Sequence, residues 1–116
     1  MVFSKISTIK RIVKSLFKKL EHYNQRVKAV EQLIDRDIKA GKTKQKDKQN
    51  LFLRTKKGLM KDFFGGFMVR RRLKQMTSLR ESLGPDKKPD NDTCYKFNRL
   101  IKTLYPGRKD LLWNWP

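Results

Sequence analysis

The chain lacks most of what catalysis and membrane insertion require. One cysteine, Cys94, and one histidine, His22, occur in 116 residues. A single cysteine excludes an internal disulfide, and no Cys/His cluster has metal-site spacing. His22 and Cys94 lie far apart in sequence, so no nucleophile–base pair is implied. Gly65-Gly66 belongs to neither a GxGxxG nor a GxxxxGK phosphate loop. No apolar run approaches the roughly 18 residues that span a bilayer. No secretory signal is evident either, because the early apolar residues are spread at helical spacing. These absences predict a protein that is not an enzyme, with no metal, no cofactor and no small-molecule substrate.

Acid is also scarce. Eleven Asp and Glu face 30 Lys and Arg, a formal charge of +19. Apolar residues make up 37% and charged residues 35%, a polar balance for a globular domain. Self-repulsion at such a charge opposes compaction unless a polyanion neutralises it. Structured RNA is the first partner this predicts, and an anionic membrane surface the second. A length of 116 residues predicts one domain.

What the chain does have is helical periodicity. Ile6, Ile9, Val13, Leu16, Leu20, Tyr23, Val27, Val30, Ile34 and Ile38 recur in steps of three and four. That spacing predicts one long helix over about 5–40, roughly 50 Å long. Ile12, Phe17 and Leu33 widen its seam into a packing face. Gly41 stops it, and 41–49 reads as a basic linker with nothing apolar in it. Further helices are predicted over about 50–64, 67–83 and 92–104, with an irregular apolar tail over 105–116. Gly65-Gly66, between Phe63-Phe64 and Phe67-Met68, predicts a tight turn with both flanks buried. Asn91 or Asp92 is expected to cap the last helix, and Cys94 to be a small core residue. The fold class is therefore all-α: one long N-terminal helix, two medium helices and one short one in a single extended chain.

The charge pattern divides the long helix. Up to Leu20 it holds Lys5, Lys10, Arg11, Lys14, Lys18 and Lys19 and no acid. From Glu21 on, acids and bases mix, as on a protein-facing helix. The acid-free, Ser-containing start is similar to a mitochondrial targeting segment, retained here as a structural helix. An ordinary basic helix start has the same pattern. The candidate RNA-binding residues are Lys10, Arg11, Lys14 and Lys18, then Lys42, Lys44, Lys46 and Lys48 in the linker. Arg54, Lys56 and Lys57 follow, and then the triplet Arg70, Arg71 and Arg72. Arginines near a helix start oppose the helix dipole, so their presence there predicts an anion, and Arg chelates phosphate bidentately. The candidate protein-interface residues are Val27, Val30, Ile34 and Ile38 on the first helix, with Leu111, Leu112, Trp113 and Trp115 in the tail. The tail is too apolar to lie free, and a protein neighbour is favoured over its own helices as its cover.

Two stretches carry a family resemblance. Leu53-Arg54 with Leu59-Met60-Lys61-Asp62-Phe63-Phe64-Gly65, and Phe97-Asn-Arg-Leu-Ile-Lys-Thr-Leu-Tyr-Pro106, resemble a mitochondria-specific protein family of the mitoribosomal small subunit, numbered thirty-three. The match covers about half the chain. The long first helix lies outside it, and a Trp-rich end replaces the family's basic tail. The resemblance implies a structural, non-catalytic place in a mitochondrial ribosome. Charge and resemblance together predict a ribonucleoprotein component in the mitochondrial matrix, contacting rRNA and neighbouring proteins. The alternative is an accessory subunit of an inner-membrane respiratory complex, its basic first helix lying on lipid. Leu51-Phe-Leu-Arg54 is similar to the Leu-Tyr-Arg motif found in such complexes, without the central Tyr.

Overall fold

The computed structural model describes residues 4–84, 87 and 89–113. The described chain is all-α. Its helices are α1 (Lys5–Lys39), α2 (Lys48–Phe64), α3 (Phe67–Leu83) and α4 (Asn91–Leu104). Short 3₁₀ turns sit at Gln45–Asp47 and Lys109–Leu111. The first of these turns, with a start of α2 at Lys48, takes up the end of the linker expected to run to 49.

Local chemistry sets the helix ends. The Ser4 hydroxyl accepts from the Ser7 N–H at 3.0 Å and so caps α1. At the other end Gly41 takes φ +76°. Its N–H donates to the Ile38 carbonyl, and the Lys42 N–H reaches back to Asp37. This is a Schellman stop, in which glycine alone adopts the left-handed position without strain. Asp90, rather than Asn91 or Asp92, caps α4, accepting from the backbone and hydroxyl of Thr93 at 3.3 and 2.8 Å. Gly65 closes α2 through its N–H to the Lys61 carbonyl at 2.7 Å, and a Cβ there would collide with that carbonyl oxygen.

The chain divides into two compact units. One unit takes the chain up to Lys18 together with everything from Phe67 on, and the other is Lys19–Gly66. The long periodic seam of α1 supplies both.

In the first unit, Ile9, Ile12, Val13 and Leu16 of α1 are buried, as are Leu73 and Met76 of α3. Cys94, Phe97, Leu100 and Ile101 bury the face of α4. The C-terminal segment joins this core. The Phe97 and Trp113 rings meet edge to face at 4.9 Å. The Asn98 amide clamps the Trp113 backbone, accepting from its N–H at 2.6 Å and donating to its carbonyl at 2.9 Å. Arg80 donates to the Leu112 carbonyl at 2.7 Å and lies over the Trp113 ring.

The second unit is an αα-hairpin. Asp35 pairs with Lys48 beside the turn, at 2.6 Å. Farther along, Tyr23 packs edge to face on Phe63 and Phe64, so the two segments run antiparallel. Its buried apolar residues are Leu20, Tyr23, Ile34 and Phe64. Leu33, expected on the seam, is 54% exposed.

Candidate nucleic-acid interface

The basic residues fall on the surfaces of both units. Lys10, Arg11, Lys14 and Lys18 are exposed on α1, as are Lys42, Lys44 and Lys46 in the turn and Arg54, Lys56 and Lys57 on α2. Arg70, Arg71 and Arg72 are exposed on α3. Lys48 is half-buried and committed to Asp35, which pushes its ammonium above the ordinary lysine value through their hydrogen bond. Lys10 is 3.0 Å from Asp90. The Lys10 ammonium, with Thr93 behind it, holds the Asp90 carboxyl at about 2. These two lysines serve the fold as well as any partner.

In the first unit the fold groups cations that sequence keeps apart. Arg11, Lys14 and Lys18 share a helical stripe in which Ser15 also lies. Arg72 donates to the Ser15 hydroxyl at 3.2 Å. The arginine triplet therefore splits. Arg72 turns toward α1, whereas Arg70 and Arg71 line an open groove of about 590 Å³ with Phe67, Lys74 and Tyr105. Successive residues on a helix point about 100° apart, so three consecutive arginines never share one direction. Lys74, Phe67 and Tyr105 are absent from the residues singled out by charge runs. The spacing 67, 70, 71, 74 is the signal that finds two of them, Phe67 and Lys74.

The flanks of Gly65-Gly66 differ from expectation. Phe64 is buried, but Phe67 is 71% and Met68 60% exposed. Phe67 stands half a turn around α3 from the buried Met76, which explains its position outside the core.

The expected protein-interface residues also divide. Ile34, Leu111 and Trp113 are buried within the chain. Leu111 and Trp113 of the tail pack within the chain, whereas 106–110 are exposed. An apolar segment has the same composition whichever surface covers it; here the Asn98 clamp holds the Trp113 backbone on α4. Val27, Val30, Ile38 and Leu112 are half-buried. Trp115 lies outside the described residues.

Among the described residues no group of three or more His, Cys, Asp or Glu is placed to hold a metal. Cys94 is buried, its thiol 3.7 Å from the Pro89 carbonyl. Among the described residues no helix is long and apolar enough to cross a membrane. Comparison with family models, curated proteins and solved structures gave no significant match.

Proposed function

We propose that this chain is a structural component of a ribonucleoprotein, a mitochondrial ribosome, that neutralises rRNA phosphates and bridges to neighbouring proteins. The observation that carries the proposal is a charge of +19 displayed as exposed Lys and Arg in both compact units. A polyanion is the partner that relieves such a field, and RNA contacts made through phosphates need shape and charge more than base identity. The resemblance of 53–65 and 97–106 to a mitoribosomal family points the same way and supplies the matrix location.

The alternative, a respiratory-complex subunit resting on lipid, needs a free apolar face on the basic start of α1. Ile9, Ile12, Val13 and Leu16 are that face, and each is buried. This favours RNA over lipid for the first half of α1. Co-sedimentation tests the choice. The tagged chain should travel with ribosomal particles and leave them on treatment with high salt or ribonuclease. Migration with detergent-solubilised membrane complexes instead would reject the ribosomal reading.

A further inference from the structure

The groove at the start of α3 combines two chemistries. Phe67, Arg70, Arg71 and Lys74 follow the spacing i, i+3, i+4, i+7, which puts an aromatic ring and three cations on one face. Tyr105, just beyond α4, lines the same groove. Phe67 is the most exposed large apolar residue described, at 71%. No Asp or Glu lines the groove among the described residues.

Cations alone suit a duplex, whose A-form surface offers phosphates and 2′-hydroxyls but hides its base faces. An exposed ring among cations suits an unpaired strand, whose bases stack on aromatics while its phosphates meet Lys and Arg. An apolar peptide would use Phe67 but gains nothing from three unopposed cations. Charge complementarity therefore selects a polyanion, and the rings select one with free bases.

We propose that this groove binds a single-stranded segment of RNA, one base stacking on Phe67 and one on Tyr105, with the intervening phosphates on Arg70, Arg71 and Lys74. The proposal rests on the RNA reading above and narrows it: the rest of the basic surface takes backbone of any form, and this site takes unpaired nucleotides.

The test uses the full chain and two probes, a uridine-rich single strand of about ten nucleotides and an RNA duplex with the same number of phosphates. Phe67→Ala should weaken single-strand binding about tenfold, the scale of one lost base stack, and duplex binding less than twofold. Phe67→Leu keeps the apolar bulk and should show the same loss, while Phe67→Trp should restore affinity. Full single-strand affinity in Phe67→Leu, or equal losses on both probes, overturns the groove proposal. If the wild-type chain binds both probes with steep salt dependence and Phe67→Ala changes neither, the groove proposal falls and the RNA reading stands. If the wild-type chain binds neither probe at low salt, both fall.

Discussion

The two halves of α1 share one periodicity and differ in what covers them. Ile9, Ile12, Val13 and Leu16 are at most 8% exposed. Val27, Val30 and Ile38, on the same three-and-four spacing, stay half-buried, and Leu33 is 54% exposed. The first unit has α3, α4 and the C-terminal segment to close over its part of the seam. The second has α2 alone, and α2 buries only Phe64. Hydrophobic stabilisation scales with the area removed from water. The first unit should therefore carry most of the chain's stability, and the second should gain most from a partner that covers Val27, Val30, Leu33 and Ile38.

The largest expected effect breaks this contrast at its stronger end. Phe97 is fully buried and stacks on Trp113. Phe97→Ala should destabilise the first unit by about 3–5 kcal/mol, read as a fall in the urea midpoint and faster amide exchange across α3 and α4. Truncation of half-buried Val30 in the second unit should cost well under half of that. Equal losses would mean that the two units are equally packed.

A smaller change sharpens the contrast at the weaker end. Among the described residues the buried Tyr23 hydroxyl has no hydrogen-bond partner, and burial pushes its pKa up. An unsatisfied buried donor costs free energy that its removal returns. Tyr23→Phe keeps both ring contacts and should stabilise the chain by about 1 kcal/mol, seen as a higher thermal midpoint. A lower midpoint would show that the hydroxyl has a partner in solution.

The smallest effect is electrostatic and belongs to the first unit. The Asp90 carboxyl sits at about 2, below its ordinary 3.8, chiefly through Lys10 and then Thr93. A lowered carboxyl pKa favours the fold once the unfolded chain's aspartate is charged. Its contribution is therefore complete above about pH 4 and is lost as the pH falls toward 2. Asp90→Asn should lower stability at neutral pH and flatten the dependence over that window, by pH-resolved thermal melts. An unchanged acid profile would show that the pair with Lys10 contributes nothing.

The helices were legible because their signals are local. Period, Gly41 and the Gly65-Gly66 break place α1, α2 and α3 within about two residues. The division into two units was not legible, since the seam runs through Lys18-Lys19 without a break and nothing local marks a change of cover. The fate of the tail was hidden for a similar reason: Trp113 docks through a side chain, Asn98, that carries no turn or cap signal. The basic surface was readable as composition, yet its grouping depends on helix phase and tertiary contact. Arg72 meets Ser15 across 57 positions of sequence, and Tyr105 lines one groove with the Phe67 stripe though it lies far from it in sequence.

The salt dependence of RNA binding by the isolated 116-residue chain tests the central claim most directly. The logarithm of the association constant should fall linearly with the logarithm of salt concentration, with a slope of about −4 or steeper, as for six or more phosphate contacts. A slope near zero, with affinity held between low and high salt, would contradict a role in neutralising RNA phosphates.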